Sequence, residues 1–121
     1  MNRERVQLWA DALRSGEYVQ GADYLRDSGK HCCLGVAMEV ALKHGAVLPP
    51  HHFVSWGNEV MNDWAADWYE GLENDPTLIL ADGREQAASH CNDVLGLTFA
   101  EIADGIERTF LNPEHIEGEQ S

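Results

Sequence analysis

Basic residues are scarce in one half of this chain. Residues 59–121 hold two, Arg84 and Arg108, against fifteen acids, whereas residues 1–58 hold six of each. The whole net charge of −13 therefore falls in the C-terminal half. A field of that sign repels phosphate backbones and anionic bilayers, so direct nucleic-acid contact and membrane attachment are not expected. It attracts basic protein surfaces, and it also keeps a small protein soluble. Cysteine is sparse as well. Cys32 and Cys33 are adjacent and Cys91 stands alone, an odd number that makes a poor disulfide framework and points to reduced thiols. No apolar stretch approaches the roughly 20 residues that span a bilayer, and no signal-peptide run follows Met1-Asn2-Arg3-Glu4-Arg5, which leads to the expectation of a cytoplasmic protein. Internal repeats, a glycine-rich phosphate loop and the C-x-x-C or H-x-x-x-H spacings of a metal site are all missing, so neither cofactor nor metal is expected.

What is present is enough for one core. The chain has 121 residues, 44% of them hydrophobic, with four tryptophans, and a chain of this length buries about two-thirds of its unfolded surface. The expected architecture is α+β: a helix-dominated single domain over residues 1–112 with a small antiparallel β-sheet or hairpin, followed by a frayed acidic tail, 113–121.

Val6, Trp9, Ala10 and Leu13 recur at the i, i+3, i+4, i+7 spacing of an amphipathic helix, which Gly16 would end. Residues 17–33, with Asp27-Ser28-Gly29-Lys30 as a turn, suit a small hairpin. From Cys33 to His44 apolar residues nearly surround the helical axis, predicting a buried helix that stops at Gly45. Val47-Leu48-Pro49-Pro50-His51-His52 reads as an extended loop. A helix is predicted from Asn58 to Leu72, with Trp64 and Trp68 along one buried edge. Thr77-Leu78-Ile79-Leu80 before Asp82-Gly83 reads as a strand pairing with the hairpin, and Arg84 to Asn92 as a helix. Thr98 and Glu101 form a capping box ahead of a last helix whose inner face is Phe99, Ile102, Ala103, Ile106 and Phe110, ending at Asn112-Pro113.

Three constellations could carry function. Cys32 and Cys33 stand where a helix begins, and a helix N-terminus can lower a thiol pKa, so either could be a reactive nucleophile, with His31, His51, His52 and His90 as possible bases and Asn92 as a possible orienting group; as zinc ligands Cys32, Cys33, His31, Cys91 and His90 lack the usual spacing. Arg14, Arg26 and Lys30, near Tyr18, Gln20 and Tyr24, could cradle a phosphate or nucleotide, or the arginines could pair with Glu17, Asp23 and Asp27 at the surface. Asp63, Asp67, Glu70, Glu73 and Asp75 make a dense acid run beside Trp64 and Trp68, the aromatic-anchor-and-charged-rim composition of a protein interface. Gln86 to Glu107 has the outline of a helix-turn-helix, but its outward face offers Asp104 and Glu107 where a groove reader needs cations and amides.

Arg14-Ser15-Gly16-Glu17-Tyr18, Gln20-Gly21, Leu25-Arg26, Cys32-Cys33-Leu34-Gly35-Val36, Asn92-Asp93, Gly96 and Phe99-Ala100-Glu101-Ile102-Ala103-Asp104 together resemble, in order and over about half of the chain, a group of small proteins of unassigned activity encoded by bacteriophages and prophages. The resemblance implies a phage setting and carries over no catalytic residue. The leading expectation is thus a non-enzymatic, phage-derived acidic protein that docks on a basic surface of a host protein, a defence or transcription component. Its docking surface would be the acidic region from Glu59 to Asp75, with Asp63, Asp67, Glu70, Trp64 and Trp68 as partner-binding residues, together with the C-terminal helix. The alternatives are a nucleotide-signal sequestering protein using Arg14, Tyr18, Gln20, Tyr24 and Arg26, and a thiol-dependent enzyme using Cys32 or Cys33. The oligomeric state stays open, a homo-oligomer included.

Overall fold

Asn2 accepts a hydrogen bond from the Arg5 backbone N–H (3.1 Å) and so opens α1, Arg3–Arg14, whose buried stripe is Val6, Trp9, Ala10 and Leu13. Ser15 caps it, and Gly16 follows at φ +80, the left-handed turn that a glycine adopts without a Cβ penalty. The computed structural model describes residues 1–48 and 60–111. The expected extended loop therefore lies outside the described residues from Pro49 onward. The same holds for Asn58 and Glu59, the stop at Asn112-Pro113 and the tail.

A three-stranded sheet of two-residue strands comes next: β1 (Val19–Gln20), β2 (Arg26–Asp27) and β3 (Lys30–His31), in the order β1-β3-β2. The antiparallel pair β2 and β3 turns through Ser28 (φ +53) and Gly29 (φ +81), the two positive φ values of a type I′ hairpin. β1 joins β3 in parallel.

α2, Cys33–Lys43, is buried on almost every side, as its continuous apolar character predicts. Two aromatic polar groups fasten onto its carbonyls: the Trp9 indole N–H donates to Cys33 (2.9 Å) and the Tyr69 hydroxyl to Ala37 (2.7 Å). Gly35 touches the Leu25 backbone so closely that a Cβ there would sit 1.7 Å from the carbonyl oxygen.

The next helix is shorter than its periodicity suggests. α3 is Asp63–Trp68, and it buries Ala65 and Ala66, with Met61 and Tyr69 at its ends, while Trp64 and Trp68 are only half-buried. The expected tryptophan edge is thus corrected to an alanine and tyrosine edge: Tyr69 reaches α2 with its hydroxyl, and small alanines let the short helix approach.

β4, Thr77–Ile79, pairs antiparallel with β5, Glu85–Ala87, through a three-residue turn ending at Gly83 (φ +90). Two expectations fall here. β4 does not join the hairpin at 17–33, and residues 85–87 are strand, so the helix α4 begins only at Ala88 and runs to Asp93. The local pairing across a tight turn wins over the modest helix preference of Glu85-Gln86-Ala87.

Thr98 opens α5, Phe99–Ile106, with both bonds of the capping box formed, and Phe99, Ile102, Ala103 and Ile106 face the core against α1. The helix continues into a π-turn, Glu107–Leu111, from which Thr109 accepts from Ile79 N–H (2.8 Å) and Arg108 donates to the Ile79 carbonyl (2.6 Å), so both outward backbone groups of Ile79 are satisfied. The architecture is α+β and helix-dominated, as expected, with two small sheets in place of the one expected. Among the described residues no helix is long and apolar enough to cross a membrane.

Candidate functional site

The five residues expected to meet a partner lie on α3 and the turn that follows it. Asp63, in the first turn, is exposed and accepts from the Asn74 side chain (2.8 Å), which also donates to Met61 O (2.6 Å). Asp67 is exposed, three residues after Trp64, so the helical repeat sets it beside that half-buried indole on the outer side of α3. No side-chain partner reaches Asp67 among the described residues. Trp68 packs edge-on against Tyr69 (4.9 Å), stacks on His44 (6.2 Å), and carries the Arg5 guanidinium 4.5 Å above its ring. Arg5 also donates to Trp68 O (2.6 Å) and lies 3.6 Å from Glu70. Glu70, at φ +62, accepts from Asn2 as well (3.2 Å). These contacts tie the C-terminal end of α3 to the start of α1. Trp68 and Glu70 thereby hold the fold as well as its surface, whereas Asp63, Asp67 and the exposed Glu73 point outward.

Most other acids of the C-terminal half, among the described residues, are engaged by groups of the protein itself. Asp75 accepts from the Ser89 hydroxyl and from its backbone N–H (2.9 Å), capping α4. Asp93 accepts from Asp23 N–H (3.0 Å), and Glu101 closes the capping box. Asp82 holds Arg84 (2.7 Å). Asp104 and Glu107 both bind Arg14, at 2.5 and 2.6 Å. The Arg14 hydrogen bond, above all other contacts, holds Glu107 below the usual carboxylate range, and the same bond raises Arg14. The acids of the C-terminal helix, expected to share in docking, are thus largely spent on α1.

The ligand-binding set is dispersed. Arg14 is committed to Asp104 and Glu107 and not to Glu17, Asp23 or Asp27, and Arg26 lies 3.6 Å from Glu39. Gln20 spends its amide N–H groups on Asn92 (3.0 Å) and Leu97 O (2.8 Å). Tyr18 meets His31 edge-on (5.3 Å), and burial, followed by Glu17 and Glu39, raises its pKa. Tyr24 is exposed. Tyr24 and Lys30 share a cleft of about 220 Å³ with Asp27.

Cys32 does hold the position ahead of α2, yet burial outweighs the backbone N–H groups of Gly35 and Leu34 and pushes its thiol up to about 11. Cys33 is fully enclosed, bonds to Ala88 O (3.4 Å) and is pushed well above the ordinary thiol value, again by burial. The lowered pKa expected of a helix-terminal thiol is therefore not found. His31 spends Nε2 on Glu39 (2.7 Å). Among the described residues no three His, Cys, Asp or Glu side chains gather as metal ligands, and His51 and His52 lie outside them.

Sequence reading offers Asn92 only as an orienting group for a thiol nucleophile and misses its structural role. Its carboxamide accepts from Gln20 (3.0 Å) and Cys33 N–H (3.2 Å) and donates to Gly21 O (2.9 Å) and Asp93 (2.7 Å). One buried side chain thus joins the first sheet, α2 and α4. The segments Gln20-Gly21, Cys32-Cys33 and Asn92-Asp93 were visible as part of the phage resemblance, but not as one knot.

A family model described as a domain of unknown function, DUF8296, matches residues 1–110. No curated protein and no solved structure matches the chain. With about nine-tenths of its length inside that match, the chain belongs to the DUF8296 family.

Proposed function

We propose that this protein is a non-enzymatic, phage-derived binding protein that docks on a basic surface of a host protein through the outer face of α3. The observation that carries this reading is the sorting of the acids. Within the C-terminal half, Asp75, Asp82, Asp93, Glu101, Asp104 and Glu107 serve the fold, while Asp67, Glu73 and Glu85 have no side-chain partner among the described residues. Asp67 sits one helical turn from half-buried Trp64 and next in sequence to half-buried Trp68, and exposed Glu73 follows after the helix has ended.

Solvated carboxylates around aromatic anchors suit association with a cationic partner. The charges speed encounter and set orientation, and the indoles supply area once water is expelled. Such attraction is screened over about 10 Å at 0.1 M salt, so it weakens as salt rises. A tagged pull-down from bacterial lysate at low salt, identified by mass spectrometry and repeated at high salt, tests the reading. A single basic host protein retained at low salt and shed at high salt is the expected result. An empty bait, or a captured protein indifferent to salt, overturns it.

A further inference from the structure

The only two cations of the C-terminal half, Arg84 and Arg108, line one cleft of about 310 Å³. The β4–β5 turn supplies one side, α5 and its π-turn the other, and Leu80, Ala81 and Leu97 give it an apolar lining. Its volume lies at the small end of ligand sites, roughly 300–1,000 Å³.

The acids that share the cleft are already bound. Asp82 accepts from Arg84 Nε (2.7 Å) and from its backbone N–H (3.0 Å). Glu101 Oε1 accepts from the N–H and hydroxyl of Thr98. Asp104 stands four residues before Arg108, the spacing of a helical ion pair, but it is held by Arg14 instead. The cations are left with donors to spare. Among the described residues, Arg84 has both terminal nitrogens unspent, and half-buried Arg108 gives one N–H to Ile79 O and has no carboxylate within ion-pair distance.

We propose that this cleft binds a small organic carboxylate with a short apolar body, its carboxylate received by Arg108 and Arg84 and its body lying against Leu80 and Leu97. The planar guanidinium fork matches a carboxylate with paired hydrogen bonds. A single negative charge is repelled less by a protein of net charge −13 than a doubly charged phosphate is. The cleft contains no residue of α3, so this binding stands apart from the docking reading and neither depends on the other.

Backbone-amide NMR titration of the full chain with acetate, hexanoate and inorganic phosphate tests it. Hexanoate should give saturable shifts at Leu80, Ala81, Leu97 and Arg108, bind at least about ten-fold tighter than acetate because its extra methylenes leave water, and outcompete phosphate. Arg84→Gln removes only a contact within an exposed turn, so it keeps the fold, and it should weaken hexanoate about ten-fold. Arg108→Lys keeps the charge but loses the fork, and should weaken it as well. Shifts that are absent or scattered away from the cleft, phosphate binding equal to hexanoate, or an unchanged affinity in Arg84→Gln would each overturn the proposal.

Discussion

Around Asn92, amide and carboxylate groups are turned inward and matched: Gln20, Gly21, Cys33 and Asp93 satisfy its carboxamide, and Asp93 also receives Asp23 N–H. On α3, earlier in the chain, Asp67 carries a carboxylate like that of Asp93 and has no side-chain partner among the described residues. Burial makes the difference. A polar group inside the molecule must be paired or it costs about 1–3 kcal/mol, so the Asn92 knot is fixed by the fold, whereas an exposed carboxylate is satisfied by water and stays available. Polar residues in this protein therefore divide into those that build it and those that it presents.

The knot side should be intolerant of change. Gly35→Ala drives a Cβ into the Leu25 carbonyl, a backbone atom with nowhere to move, and should cost about 4 kcal/mol or more, most of the stability of a small domain. Urea unfolding followed by circular dichroism measures it, and a variant as stable as the parent would break the packing of α2 on the first sheet. Asn92→Ala leaves Cys33 N–H and Gly21 O unpaired in the interior and should cost about 3 kcal/mol in the same assay.

The thiols test whether the N-terminus of α2 belongs to the interior. With its thiol pushed up to about 11, Cys32 should react with iodoacetamide at pH 8 about two orders of magnitude more slowly than a free cysteine, and unfolding in urea should remove that protection. A fast-reacting thiolate in the folded state would restore the enzyme alternative.

The Arg14 pair lies between the two regimes, since it is structural yet partly solvated. Glu107 is held below the usual carboxylate range, so its stabilisation is present above that range and is lost as pH falls through the lowered value. Arg14→Gln should cost up to about 1 kcal/mol at neutral pH, and the gap in Tm between it and the parent should close as acid is added. A gap that persists at pH 2–3 would mean that packing, not charge, explains the loss.

Much of the building half was legible. The Val6, Trp9, Ala10, Leu13 stripe, the all-round apolar α2, the Ser28-Gly29 turn and the Thr98–Glu101 box are local signals that depend on periodicity or on capping chemistry. What stayed hidden depends on partners far away in sequence. The Arg14 bonds to Asp104 and Glu107, the Arg5 clamp on Trp68 and Glu70, and the Asn92 knot join residues tens of positions apart, so none of them leaves a spacing to read. The β5 strand was hidden for a related reason, because Glu85-Gln86-Ala87 becomes extended only by pairing with β4. At the candidate site, Trp64 and Trp68 have the spacing of a core edge, and only the reach of the Tyr69 hydroxyl to α2 shows that the short helix turns a different side inward.

The presenting side should tolerate change in stability but not in binding. Asp67→Lys with Glu73→Lys should alter stability by less than about 0.5 kcal/mol, since neither side chain has a side-chain partner to lose among the described residues. Glu85→Lys reverses an equally exposed charge on β5, away from α3. The decisive measurement is the affinity of the lysate-captured partner for these two variants and the parent, at one low salt concentration. Loss of at least ten-fold with the α3 pair and near-parent affinity with Glu85→Lys is the predicted result. Equal weakening in both would make the acidity a diffuse solubility feature and contradict a docking face on α3.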